Sequence, residues 1–186
     1  MSTRDALLRS LPADGRLPER LRAPIEGVSI AHYLVVEAAQ LDGLPVPAVL
    51  AWLGVSQRAF ARAEEPWSER VAGALAGEGG EFDALYEESL GRALSLWARR
   101  VDPLDREIGA WVTFQRHALE AEDPGEIARR AGLTLGDELR LARLWRARLA
   151  EPEILASAEA AMSGPLAPMP TLTVVPFLFP PTEERS

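Results

Sequence analysis

His32 and His117 are the side chains best suited to moving protons near neutral pH, because imidazole titrates between about pH 5 and 8. Neither stands in a spacing that supplies a nucleophile or a metal. The chain has no cysteine, which removes thiolate nucleophiles, disulfides and thiolate metal sites. With two histidines and no HExxH spacing, a zinc site would have to lean on carboxylates. The adjacent carboxylates Glu64-Glu65 and Glu87-Glu88 diverge on a helix, so neither pair can share one pocket for acid–base work. No GxSxG elbow, Walker loop or GxGxxG turn is present, and Gly77-Glu78-Gly79-Gly80 is too acidic to cradle phosphate. Each histidine reads as a half-buried helix residue. The expectation is a chain with no catalytic residues, no cofactor and no metal.

The elements around these residues are those of a globular protein. At 186 residues, with 47% hydrophobic and 26% charged residues, the chain can build a real core but not two large domains. All twenty basic residues are arginine, and asparagine is absent as well; both lysine and asparagine use AT-rich codons, which points to a GC-rich, bacterial genome. No secretory signal opens the chain, and no run approaches the roughly 18 apolar residues of a membrane span. A cytoplasmic protein that does not engage membranes is expected. The formal charge of −8 argues against general nucleic-acid binding, which needs a surplus of basic groups.

Self-comparison is the most informative operation. A shift of 78 residues lays 33–71 on 111–149 without a gap. Gly54 meets Gly132, Val55 meets Leu133, Ser56 meets Thr134, Trp67 meets Trp145, and Arg70 meets Arg148. The shared core reads G-[VL]-[ST]-x10-W-x2-R-[VL]. Gly54 and Gly132 suit the left-handed end of one helix, and Ser56 and Thr134 suit the N-cap of the next. Phe60, Ala63, Trp67 and Val71 share one helical face, as do Leu141, Trp145 and Leu149. Both tryptophans therefore read as core anchors, with Arg70 and Arg148 one turn later closing a salt bridge or capping a carbonyl.

Further helices are expected at about 30–42 after Ser29, 81–100, 103–121 and 153–162. Asp102-Pro103 is read as the start of the third of these, and Asp123-Pro124-Gly125-Glu126 as a capping box for a short helix. The fold class is all-α: a helical bundle or short α-solenoid of two copies of a three- to four-helix unit. Three regions are expected. Residues 1–28 hold a short helix and a linker broken by Pro12, Pro18 and Pro24. Residues 29–163 form a two-repeat helical domain with units 29–100 and 101–163, and 164–186 an irregular Pro-rich tail.

Three features carry possible partners. The run Val49 to Ser56 with Phe60 and Arg62 resembles the helix-turn-helix of bacterial regulators, in which Ser56, Gln57, Arg58 and Ala61 would head a recognition helix. Against it stand Glu64 and Glu65 directly after Arg62, and Glu138 at the position matching Phe60. Charge is also uneven: residues 64–88 carry a net −7 and residues 129–148 a net +4. Such runs are usually solvated faces; the sharper reading is a head-to-tail homo-oligomer through them. The tail is the preferred site. Thr171 to Val175 has β character, and Leu172, Val174, Val175, Phe177, Leu178 and Phe179 either fold back on the bundle or dock a partner protein.

The Gly-[VL]-[ST] turn, the Trp-x-x-Arg that follows it, and Phe82-Asp83-x-x-Tyr86 are similar to segments of uncharacterised helical-repeat proteins of myxobacteria and their relatives. Some of these lie near type VI secretion or other contractile-injection genes. The resemblance covers residues 30–160 loosely and implies an adaptor, chaperone or accessory component of such a system. The expected function is a non-enzymatic protein-interaction module, with a helix-turn-helix regulator as the alternative.

Overall fold

A computed structural model describes residues 8–9, 11, 17–77 and 81–175. The fold is all-α, with one two-stranded ribbon among the described residues. The chain divides into two compact units, one extending to Trp97 and the other starting at Ala98. No helix is long and apolar enough to cross a membrane among the described residues.

Unit 1 contains α1 (Glu19–Arg22), α2 (Ile30–Leu41), α3 (Val46–Leu53), α4 (Gln57–Gly77) and α5 (Glu81–Leu96). Helix α2 starts at Ser29, whose hydroxyl accepts from the His32 amide while His32 Nδ1 accepts from the Ser29 amide at 3.2 Å. His32 thus fills the place that Glu or Gln takes in a capping box. The helix is apolar nearly all round and buries Leu34, Val35, Val36, Ala38 and Ala39 against α3 and α5. Helix α4 contributes Phe60, Ala63, Trp67 and Val71, the expected face. On α5, Phe82, Leu85, Ala93 and Leu94 are buried, and Trp97 just beyond it meets Trp52 edge-on at 5.6 Å.

Unit 2 contains β1 (Val101–Asp102), α6 (Ile108–Glu120), α7 (Pro124–Arg130), α8 (Leu135–Arg148), α9 (Pro152–Ser163) and β2 (Thr173–Val174). Its core gathers Leu104, Phe114, Ala128, Leu133, Leu141 and Trp145. Arg116 of α6 donates to the carbonyls of Ala161 and Gly164 at 2.8 and 3.0 Å, which caps the C-terminus of α9 with positive charge. His117 Nε2 donates to the Ala167 carbonyl at 2.9 Å. These bonds fasten the segment after α9 to the unit. It then runs into β2, which pairs antiparallel with β1, Val101 opposite Val174 and Asp102 opposite Thr173.

Four expectations change here. The helix expected from Pro103 starts at Ile108. Val101-Asp102 is strand, and after a cis Asp102–Pro103 bond the chain turns, with the amides of Arg106 and Glu107 bonded to the Pro103 carbonyl. The Leu104 carbonyl accepts from the Trp145 indole N–H at 2.8 Å. The helix expected to reach residue 100 stops at Leu96; beyond it, within unit 2, the Arg100 carbonyl accepts from Val175 and Arg99 bonds Asp137. Asp123 caps α7, but Glu126 pairs with Arg130 rather than closing the box. Finally, the tail through Val175 falls within unit 2 rather than forming a separate region from residue 164.

The same hydrogen bonds recur 78 residues apart. Gly54 and Gly132 share a φ of +75°. The Gly54 amide bonds the Ala51 carbonyl and the Val55 amide that of Leu50, while Gly132 bonds Arg129 and Leu133 bonds Ala128. Both are Schellman ends. Ser56 Oγ accepts from the Ala59 amide at 3.1 Å, and Thr134 Oγ1 from the Asp137 amide at 3.1 Å. Trp67 donates to the Val28 carbonyl at 2.9 Å, as Trp145 does to Leu104. Arg70 lies 5.4 Å over the Trp67 ring and Arg148 4.8 Å over that of Trp145. Cation–π contact thus clamps each indole from its open side.

A candidate docking cleft and two polar clusters

Unit 2 carries an open cleft of about 370 Å³ lined by Ile127, Arg130 and Ala131 of the α7 region and by Met169, Pro170 and Leu172 of the tail. The sequence places the α7 wall by its cap: Asp123 fixes the start of the helix, and the Gly132 turn ends it one turn after Ile127 and Ala128 face inward. The tail wall is held at one end by Arg116 and His117 and at the other by the β1–β2 ribbon. Leu172 and Val174 pack against the unit's own core, whereas Met169 and Val175 remain exposed. The docking residues expected in the tail therefore separate. Leu172 forms cleft wall, Val174 is core packing, Val175 is exposed with its amide given to Arg100, and Phe177, Leu178 and Phe179 lie outside the described residues. The extended segment does add a strand to a ribbon, but to β1 of its own chain.

The cleft's other wall was not singled out by sequence. Ile127, Arg130 and Ala131 carry no motif. For the tail wall a compositional signal is present: Met169 sits between Pro168 and Pro170, which keep that stretch out of helix.

Asp137 is the centre of the first cluster. It is 1% exposed. Its carboxylate takes three bonds from Arg99, the shortest at 2.5 Å, one from Arg140 at 2.6 Å, and bonds from the Thr134 amide and hydroxyl at 2.9 Å each. Burial alone would raise this carboxyl, but the Arg99, Thr134 and Arg140 bonds outweigh it and hold it below the usual carboxylate range. Arg99 also donates to the Gly132 carbonyl at 2.7 Å. The cluster thereby locks the glycine turn to the start of α8. Next to it, burial and the Asp137 charge push Glu138 up.

Glu37 is the centre of the second. Both its oxygens accept from the Tyr86 hydroxyl at 2.9 Å, which ties α2 to α5. Burial pushes the Glu37 carboxyl up, and burial together with the Glu37 charge pushes the Tyr86 phenol up. Tyr33, one turn earlier, stacks on Trp67 at 6.3 Å and bonds Ser68, while Gln40, one turn later, donates to Glu64 at 3.4 Å. Tyr33, Glu37 and Gln40 form one polar stripe on an otherwise apolar helix. Sequence reading passed over Glu37 because nothing in its neighbours marks it.

Of the proposed recognition-helix residues, Ser56 is the N-cap, and Gln57, Arg58 and Ala61 are exposed on α4. Arg62 is paired with Glu26 at 2.5 Å, and Glu64 and Glu65 are exposed on the same stretch, so the face is mixed rather than basic. In the basic run, Arg129, Arg130, Arg140 and Arg148 each have a carboxylate within unit 2, namely Asp123, Glu126, Asp137 and Glu151. Among the described residues no group of three or more His, Asp or Glu could hold a metal ion. No family model, curated protein or solved structure matches this chain.

Proposed function

We propose that this chain is a non-enzymatic protein-interaction module that docks a partner in the α7–tail cleft of unit 2. The observation that carries the reading is the cleft itself, an apolar recess with an exposed methionine on one wall and an arginine on the other. Such recesses suit side chains of a docking segment, and methionine adapts its shape to what it meets. The strongly held carboxylates support the same reading. Asp137 and Glu37 have their oxygens committed to helix-fastening bonds, so they act as fasteners rather than as acids or bases. This agrees with the adaptor, chaperone or accessory role that the sequence resemblance implies.

Met169→Glu is the test. It places a charge in the recess at an exposed position, where substitution usually changes stability by no more than about 0.5 kcal/mol. Affinity purification with the full chain and with the variant, beside thermal melts of both, separates the outcomes. A partner lost with Met169→Glu at unchanged melting temperature is expected. The same proteins recovered with both chains would sink the cleft as the docking site.

The α3–Gly54–α4 hairpin with exposed Gln57, Arg58 and Ala61 favours a second reading, a DNA-binding regulator. It requires binding to duplex DNA that weakens steeply with salt. The Arg62–Glu26 pair and the two glutamates that follow weigh against it.

A further inference from the structure

We infer that the partner segment is an extended peptide that sets an apolar side chain in the cleft and an acidic side chain against Arg130. This rests on the cleft reading above and adds the chemistry of what fills it. Three observations lead there.

The first is backbone geometry. The tail enters β2 at Thr173, and the Val175 amide beyond it points toward the β1 side, where it meets the Arg100 carbonyl at 3.0 Å. Backbone groups in a strand alternate in direction, so those of Val174 and Leu172 face the opposite edge. That edge has no strand beside it among the described residues. Pro168 and Pro170 lack amides, which confines new pairing to the short stretch 171–174. A peptide strand added there pairs beside Leu172, which lines the cleft.

The second is the lining. Ile127, Ala131, Met169 and Leu172 offer only apolar contact, so the side chain that enters is apolar. The third is charge. Arg130 closes the cleft with its side chain 73% exposed, and its partner Glu126 is also largely exposed, at 47%. Exposed pairs contribute little, so the guanidinium can exchange Glu126 for an incoming carboxylate at small cost. Arg129, 66% exposed and paired with Asp123, adds positive charge beside it.

A random peptide library displayed on phage and panned on the full chain provides the probe, with fluorescence anisotropy on synthetic copies of the enriched sequences. Expected are sequences with Asp or Glu near Leu, Ile, Met or Phe and no helical repeat of apolar positions. Met169→Glu abolishes their binding. Arg130→Ala weakens it by about tenfold or more, the scale of one charge-assisted hydrogen bond. Arg130→Glu shifts the preference to peptides with Arg or Lys at the acidic position. Peptides that need Met169 but ignore Arg130 would overturn the acidic assignment and leave the docking cleft standing. Peptides indifferent to both residues, or none at all, would overturn both. Melting curves of each variant confirm that the fold is intact.

Discussion

The stretches Ser56 to Val71 in unit 1 and Thr134 to Leu149 in unit 2 do the same mechanical work with different chemistry. Each follows a Schellman glycine, starts with a hydroxyl cap and ends with an arginine over a buried indole whose N–H holds a carbonyl some forty residues upstream. The difference lies one turn into the helix. Unit 1 has Ala59 and the buried Phe60, so its start is fixed by apolar packing. Unit 2 has Asp137 and Glu138 at the matching positions, and its start is fixed by a carboxylate between two arginines. An apolar contact tolerates small shifts. A charge out of water does not, because any loss of its partners leaves an unsolvated ion. Unit 2 is therefore more rigidly specified at its glycine turn, and more exposed to failure by a single substitution.

The largest expected effect tests what the two stretches share. Trp67→Ala and Trp145→Ala each remove a fully buried indole, 0% and 1% exposed, together with the bond to Val28 or Leu104. Each should cost about 3–5 kcal/mol by chemical denaturation. A loss below about 1 kcal/mol in one and not the other would break the equivalence of the two indoles as anchors.

Asp137→Asn tests what they do not share, with a loss nearer 3 kcal/mol, since it strands Arg99 and Arg140 beside a neutral group. Ala59, its counterpart, has no such sensitivity. The pH sign follows from the depressed carboxyl. A carboxyl held low in the folded state contributes stability that is fully present above its unfolded pKa, near 3.9. That contribution is lost as pH falls through the folded value. Denaturation of the natural chain should therefore show an acid-side loss that Asp137→Asn lacks. An unchanged acid limb would show that the Arg99 and Arg140 contacts do not persist in solution.

Local signals made the helix ends legible, because a glycine at positive φ and a hydroxyl cap act within four residues of themselves. Gly54, Ser56, Gly132 and Thr134 stand where spacing puts them. The apolar faces of α4 and α8 followed from spacing as local. What escaped depends on partners distant in sequence. Nothing near Pro103 announces that Trp145 takes the Leu104 carbonyl, or that Val101 pairs with Val174. Nothing near Arg99 points to Asp137. The cleft is hidden likewise, since its walls come from residues about forty apart and neither wall has a pattern of its own. Tail residues were legible as apolar and extended, but whether they pack or dock is decided by the neighbours that bound them.

The smallest effect concerns unit 1's own half-buried carboxylate, and it runs opposite in sign to that of Asp137. Glu37 has Tyr33 beside it on α2, Tyr86 across from it on α5, and Ser68 and Glu64 of α4 around Tyr33, with no cation among them. Burial raises its folded pKa, so its contribution is fully present below the unfolded value, near 4.3, and is lost as pH rises through the folded one. Glu37→Gln keeps an oxygen for the Tyr86 hydroxyl and removes the charge. Because Glu37 is only half-buried, the gain above neutrality should stay below about 1 kcal/mol. Melting temperatures of the two chains should coincide near pH 4 and separate in favour of the variant toward pH 8. If Glu37→Gln is instead the less stable chain at pH 8, the bond from Tyr86 to an ionised carboxylate outweighs the burial of its charge, and unit 1 holds a half-buried ion as firmly as unit 2 holds a buried one.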